Sequence, residues 1–153
     1  MNGPSAEGPV ARPDIVAFLR ARLDEIEAAA RAATPGPWRH NPDKHWRKPG
    51  TSWFEEAVFA GPPGPDAICV AGTGESDDEQ SMRDAEHIAR HDPARVLREV
   101  EAKRRIMCEH EQRGVDFGGC WDCDTIKDPC RMHLFLAAIY SGHPDYDPAW
   151  RPS

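Results

Sequence analysis

Cysteine spacing in the last third of the chain sets a narrow limit on how that part can fold. Cys120 and Cys123 are separated by two residues, and Cys130 follows soon after. Two cysteines at this spacing can place both thiolates on one tetrahedral ion. Gly118 and Gly119 directly precede them and allow the tight backbone turn that such a knuckle needs. The pattern therefore predicts that the three sulfurs converge on one structural zinc ion.

A fourth ligand is needed to complete the tetrahedron, and three residues compete for that position. Cys108 and His110 lie two apart near the end of a predicted helix, so only one of them can face the ion. His110 is nearer the fraying end and is preferred, which leaves Cys108 as a small core residue. His133, one turn after Cys130, is the other contender. The preferred metal ligands are His110, Cys120, Cys123 and Cys130.

Two other interpretations of these cysteines stay open. They could be free thiols in a loop, or Cys120 and Cys123 could form a redox dithiol, although the βαβ pattern of thioredoxin-like motifs is absent. The segment from Met1 to Pro13 lacks the basic start and apolar stretch of a secretory signal. We therefore expect a cytoplasmic, reducing compartment, where disulfides are rare and metal binding is favoured.

The composition indicates a small hydrophobic core and an acidic surface. Hydrophobic residues make up 39% and charged residues 29% of the 153, with a mean hydropathy of -0.68, so a metal or a partner is expected to add stability. No apolar run approaches the roughly 20 residues that cross a bilayer, and no membrane partner is expected. The net charge of -7 argues against unaided binding to nucleic acid. The basic cluster at Lys103–Arg105 stands beside Glu99 and Glu101 and indicates a solvated helix face.

Apolar spacing predicts four helices. The first opens at Pro13 and Asp14 and ends at the Thr34–Pro37 turn. Its apolar stripe consists of Ile15, Phe18, Leu19, Leu23 and Ile26, and its polar face of Arg20, Arg22, Asp24 and Glu27. The other helices are predicted at residues 80–90, from Asp92 and Pro93 to about Glu111, and at 131–140.

A small antiparallel sheet is predicted between the first two helices. Strand composition is found around Val58 and at Ile68–Val70, separated by a Pro- and Gly-rich breaker. Gly72–Gly74 is predicted to turn, and the acidic run Glu75–Glu79 to be a solvated loop leading into a helix. The C-terminal residues Tyr146 and Trp150 are expected to pack back onto the fold. The fold class is thus α+β, with a disordered tail at 1–12 and one domain at 13–153 that contains a zinc-binding segment at 108–133.

No catalytic set is recognisable. His87 and His91 are four apart and could ligate a metal, but the zincin pattern needs glutamate where Ile88 stands. Asp92 and Pro93 interrupt the helix there, so a structural role at a helix junction is favoured. The chain contains no P-loop lysine motif and no G-x-S-x-G element. An enzymatic function is not predicted.

Three stretches carry a resemblance to a known family. They are the ATPGPW turn at 33–38, the run HIARHDPARVLREVEAKRR at 87–105, and the HPDY ending at 143–146. Together they resemble a domain family without assigned activity that is found in actinobacteria and their phages. The resemblance covers nearly the whole chain after the tail and implies a phage or prophage connection. The segment Trp46–Trp53 is less similar, and the role of residues 39–60 stays open.

Taken together, these patterns predict a zinc-stabilised accessory protein that acts by binding another protein in the cytoplasm. The alternative is a nucleic-acid-binding regulator that uses the zinc knuckle and the basic helix face at 103–105. A third class, an enzyme built on His87, His91 and the acidic run, would need those groups to converge in a concave pocket.

Overall fold

The computed structural model describes residues 14–40, 46–47, 54–62, 66–111 and 129–153. Its four helices are α1 (Ile15–Ala32), α2 (Glu79–Ala89), α3 (Pro93–Glu111) and α4 (Arg131–Ala138), followed by a single 3₁₀ turn (Pro148–Trp150). Its strands are β1 (Trp38–His40), β2 (Trp46–Arg47), β3 (Phe54–Ala60) and β4 (Ile68–Glu75). The predicted α+β class is confirmed. The predicted tail at 1–12 lies outside the described residues.

Helix α1 begins where its sequence predicts and buries four of the five residues of the predicted stripe, while Ile26 is half-buried. The Asp14 carboxylate accepts hydrogen bonds of 2.9 Å from the backbone N–H groups of Val16 and Ala17, which caps the helix N-terminus. The buried side chains are Ile15, Phe18, Leu19 and Leu23. Arg22 was predicted on the polar face, and this prediction is wrong, because only 8% of Arg22 is exposed. Arg22 is one turn after Phe18 and therefore lies on the same side, with its guanidinium carbon 5.2 Å from the Phe18 ring centroid.

The sheet is built around β3, which pairs antiparallel with each of the other strands. β1 pairs with the C-terminal half of β3, with His40 opposite Val58, and β2 pairs with its N-terminal end. β4 pairs along nearly all of β3, with Ala60 opposite Ile68. Since Phe59 is opposite both Arg39 and Cys69, β1 and β4 lie on different edges of β3. The short strands β1 and β2 therefore follow one another along the same edge.

Strand β4 continues through the residues that were predicted to turn. Gly72, Thr73 and Gly74 are part of β4, so the prediction of a turn there is wrong. Ala57 is opposite Gly72 and Glu56 is opposite Gly74, which leaves Thr73 as an extra residue in a β-bulge. The Thr73 hydroxyl donates a 2.8 Å hydrogen bond to the carbonyl of Ser81 in α2. Glycines are common both in turns and at β-bulges, so the sequence suggested a turn at a place where the strand continues.

Replacing Gly74 by alanine should destabilise the protein by about 1–3 kcal/mol, measured as the shift of a urea unfolding curve. The φ angle of Gly74 is 137°, which an L-residue adopts only with strain, and a Cβ atom there would overlap the Ser81 hydroxyl. Gly72→Ala is the matched control, because a Cβ atom there would lie 3.5 Å from Glu55 in ordinary contact. Equal shifts for the two variants would contradict the assigned strain.

The acidic run leads into α2, as predicted, and its Asp78 is the N-cap of that helix. The Asp78 carboxylate accepts hydrogen bonds from the Ser81 hydroxyl at 2.8 Å and from the Ser81 backbone N–H at 2.9 Å. These bonds stabilise the ionised carboxylate and lower the pKa of Asp78. Asp77 and Glu79 are exposed on either side of the cap. The run is thus a solvated connection that begins a helix.

The chain divides into two compact units. One contains the residues up to Asp24 together with those from Ala102 onward, and the other contains Glu25–Glu101. In the second unit, α2 packs against β1, β3 and β4. In the first, the Phe18 ring lies 5.0 Å from the Trp150 ring and 6.2 Å from the Tyr146 ring, measured between centroids. The prediction that the C-terminal aromatic residues pack back is confirmed.

Within the described ranges, helices long and apolar enough to cross a bilayer are absent.

Candidate metal centre

The end of α3 and the start of α4 bring two of the predicted ligands together. His110 lies in the last turn of α3, and Cys130 directly precedes α4. The distance between His110 Nδ1 and Cys130 Sγ is 3.7 Å, although the residues are 20 positions apart. Cys130 is buried, and its side chain makes no capping hydrogen bond to α4. The sulfur is therefore directed to the histidine rather than to the helix that it precedes.

The separation of these two atoms fits shared coordination. A tetrahedral zinc ion with bonds of about 2.3 Å to sulfur and about 2.0–2.1 Å to nitrogen holds the two ligand atoms about 3.6 Å apart. The observed 3.7 Å agrees with that value. It also fits a hydrogen bond between a thiol and an imidazole. The pair can thus supply half of a tetrahedral ligand set, or it can share a proton.

The other two predicted ligands, Cys120 and Cys123, lie outside the described residues. Across the part of the chain that the structure describes, no group of three or more His, Cys, Asp and Glu residues is placed to hold a metal ion. A complete zinc site therefore requires the Cys120–Cys123 knuckle, and its existence stays a prediction.

The competing ligands occupy different positions. Cys108 was predicted to be a small core residue, and this prediction is wrong, because Cys108 is exposed on α3. It lies about 200° around the helix axis from His110 and faces another direction. His133 is buried in the first turn of α4. A direct contact with the Cys130 sulfur is observed for His110. The preference for His110 stays a prediction, with His133 in α4 as the alternative.

A buried acid–histidine pair in the sheet was not recognised from the sequence. Glu56 in β3 is only 2% exposed, and its Oε1 atom lies 2.8 Å from His40 Nε2 in β1. Both side chains lie on one face of the sheet, because His40 is opposite Val58, two residues from Glu56. The available signal was that Glu56 alternates with Val58 and Ala60 and so falls on an otherwise apolar face of β3. Burial of such a group requires a partner, and His40 provides it.

A second cluster surrounds Phe18 in the first unit. The Arg22 guanidinium lies 2.6 Å from His143 Nε2 and 3.8 Å from the Asp145 carboxylate. Burial raises the pKa of Tyr140, and the positive charge of Arg22 partly offsets this rise. The hydroxyls of Tyr140 and of its neighbour Tyr146 are buried and have no hydrogen-bond partner among the described residues. The arrangement is that of a packed aromatic core with one buried cation.

The remaining candidates are the cysteine in β4, the histidine pair at 87 and 91, and the basic cluster at 103–105. Partial burial, together with the Glu55 carboxylate, raises the pKa of the Cys69 thiol, so this sulfur is a weak nucleophile near neutral pH. His87 and His91 are exposed at the junction between α2 and α3. Arg104 in the basic cluster forms a 2.6 Å ion pair with Asp24. The basic face at 103–105 is thus partly neutralised.

Arginines elsewhere on the described surface are paired in the same way. Five further ion pairs with arginine nitrogen to carboxylate oxygen distances between 2.5 and 2.8 Å are Arg20–Glu111, Arg31–Glu27, Arg83–Glu79, Arg90–Glu86 and Arg95–Glu99. Four of them join residues one helical turn apart. Such pairing reduces the positive charge that these arginines offer to a phosphate backbone.

Comparison with known proteins identifies the family. No curated protein and no solved structure matches this chain. A family model described as a family of unknown function, DUF6221, matches residues 12–152, which include all four helices and the sheet. The chain therefore belongs to the family of unknown function DUF6221.

Proposed function

We propose that this protein is a non-catalytic accessory protein that binds another protein, with its C-terminal segment held by one structural zinc ion. The ligands are His110, Cys120, Cys123 and Cys130. The observation that carries the proposal is the 3.7 Å distance between His110 Nδ1 and Cys130 Sγ, which matches two ligands of one tetrahedral ion. Four protein ligands leave no open position for a substrate, and such a site is structural.

The helix that starts at the metal ligand carries the surface that we assign to the partner. Phe135 is 47% exposed and Ile139 is 59% exposed, and they are one turn apart on the same side. Arg131, a further turn towards the N-terminus, places its guanidinium carbon 5.6 Å from the Phe135 ring centroid. We call Arg131, Phe135 and Ile139 the α4 stripe. Aromatic and arginine side chains of this kind contribute strongly to protein interfaces.

The zinc centre and the α4 stripe are connected through Cys130. Because Cys130 directly precedes α4, fixing its sulfur on a metal ion fixes the start of the helix. The stripe would then be presented in one orientation, which reduces the entropy lost on binding. The expected partner has an apolar groove for Phe135 and Ile139 and a carboxylate near Arg131.

The proposed setting is a phage or prophage of actinobacteria, with the protein in the cytoplasm. Support comes from the sequence resemblance at 33–38, 87–105 and 143–146. A reducing compartment also suits a site made of thiolates, because oxidation to disulfides would release the metal.

Nucleic-acid binding is the weaker alternative. The net charge is -7, and six arginines of the described surface, Arg104 among them, pair with carboxylates. Retention on DNA or RNA at low salt that falls steeply as salt rises would favour this alternative over protein binding.

The proposal is tested by affinity capture from an actinobacterial lysate with the wild-type protein and a Phe135→Asp/Ile139→Asp variant. We expect a discrete protein that the wild type retains and the variant loses. Ile68→Asp is the matched control, because Ile68 is 55% exposed on β4, outside the α4 stripe. Equal capture of a partner by the wild type, the double variant and Ile68→Asp would contradict the proposal. So would the absence of any captured protein when the wild type is monodisperse on its own.

A further inference from the structure

His87 and His91 stay aligned although α2 ends between them. The helix ends at Ala89, yet the Arg90 N–H donates to the Glu86 carbonyl at 3.2 Å. The His91 N–H then donates to the Ile88 carbonyl at 3.0 Å. The backbone thus continues to turn for two residues, and His91 lies above His87 as it would in a longer helix. The Asp92–Pro93 break falls after the pair and does not separate it.

The hydrogen bonding of His91 selects one ring nitrogen for a ligand. Its Nδ1 atom lies 2.8 Å from the backbone carbonyl oxygen of His87. A carbonyl oxygen only accepts, so Nδ1 carries the proton and Nε2 of the neutral ring keeps its lone pair. Metal-binding histidines commonly have this arrangement, in which a carbonyl orients the ring and fixes the tautomer. Both imidazole side chains are exposed and are therefore open to a metal ion.

The spacing of the rings indicates the kind of metal. The centroids are 4.5 Å apart, with 48° between the ring planes. A ring bound through Nε2 has its centroid about 3.2 Å from the metal. Two such rings are about 4.5 Å apart when the two metal–nitrogen bonds meet at 90°, and about 5.2 Å apart at the tetrahedral angle. The observed separation is compatible with two rings on one ion at about 90°, the angle in tetragonal Cu²⁺ and in Ni²⁺ sites.

We infer that His87 and His91 form a second metal site, selective for Ni²⁺ or Cu²⁺ and independent of the His110–Cys130 centre. In the described part of the chain no third His, Cys, Asp or Glu completes a metal-binding group. A bound ion would link the last turn of α2 to the connection that leads into α3. It would therefore raise the thermal stability of the folded protein by mass action.

The test is calorimetric titration of the full-length protein with NiCl₂ after equilibration with one equivalent of zinc. We expect one nickel ion per chain, with affinity at least about tenfold lower in His87→Gln and in His91→Gln. The double variant should lose no more than either single variant, because one remaining imidazole no longer chelates. Arg83→Gln is the control, since Arg83 is exposed on α2 one turn before His87, and it should leave the affinity unchanged.

Two further measurements separate this site from the zinc centre. Nickel should raise the unfolding temperature of the wild type and of Cys130→Ser where that variant remains folded, but not that of His87→Gln. Cu²⁺ in place of nickel should give an electron paramagnetic resonance spectrum with nitrogen ligands that His91→Gln changes. Nickel affinity that is unchanged in both histidine variants, or lost in Cys130→Ser and kept in His87→Gln, would overturn the inference.

Discussion

Replacing Cys130 by serine should remove zinc from the purified protein and unfold the segment that contains α4. Structural zinc in small sites contributes on the order of 10 kcal/mol. A whole domain is stable by only about 5–15 kcal/mol, so loss of the ion should be decisive for the part that it supports. We expect elemental analysis to give one zinc per chain in the wild type and much less than one in the variant. Circular dichroism should show less helix and a lower unfolding temperature, and treatment of the wild type with a chelator should produce the same change.

Variants of the three competing residues identify the fourth ligand of the proposed zinc ion. His110→Ala should lose zinc, whereas Cys108→Ala should keep it, because Cys108 is exposed and faces away from His110. His133→Ala is compared with these two variants in zinc content only. Its stability is not informative, because removal of a buried side chain lowers stability whether or not the residue binds zinc. Wild-type protein without stoichiometric zinc, or a Cys130→Ser variant with normal zinc content, would remove the basis of the proposed centre. It would leave the Cys130–His110 contact as a hydrogen bond.

Replacing Phe18 by alanine should lower the free energy of unfolding by about 3–5 kcal/mol. Phe18 is 2% exposed and stands at the centre of the aromatic cluster, with ring centroids of Tyr140, His143, Tyr146 and Trp150 within 5.0 to 6.2 Å of its own. Truncation leaves a cavity lined by large rigid rings, which cannot collapse to fill it. It also removes the ring over which the Arg22 guanidinium lies. The change is measured as the shift of the midpoint of urea unfolding at constant slope.

Phe135→Ala is the matched control for this prediction, since it removes the same side chain from a position that is 47% exposed. Its effect on stability should stay within about 0.5 kcal/mol. Zinc content should be normal in both variants, which separates loss of packing from loss of the metal. A Phe18→Ala variant as stable as Phe135→Ala would show that the cluster does not act as a core.

The helices could be predicted because their signals are local. Apolar residues at helical spacing and the caps Asp14 and Asp92 place their starts, and the Asp92 carboxylate does accept a 2.8 Å hydrogen bond from the Arg95 N–H. The sheet was predicted in type and position, but β4 extends five residues beyond Val70, the last residue with predicted strand composition, to Glu75. Its bulges depend on pairing with β3, which a single strand does not reveal.

Buried polar groups were not predictable for a related reason. Arg22 was assigned to solvent because arginine is rarely buried, and its partners His143 and Asp145 are more than 100 residues away in sequence. Glu56 depends in the same way on His40 across the sheet. The cysteine spacing predicted a metal site from local sequence, and that site stays a prediction, because Cys120 and Cys123 lie outside the described residues. Hydrophobic periodicity cannot predict which distant residue pairs with a buried charged group.

The two bulges of β4 also affect whether copies of the folded protein can associate through this strand. Within the described residues β4 pairs only with β3, so its outer backbone groups form a sheet edge that carries the exposed Ile68. A regular edge of that kind would template the addition of strands from other molecules and lead to aggregation. The irregularities at Thr73 and between Val58 and Phe59 interrupt the repeat of donors and acceptors along it. The same distortion that places the Thr73 hydroxyl against α2 therefore makes this edge a poorer template for the addition of another strand.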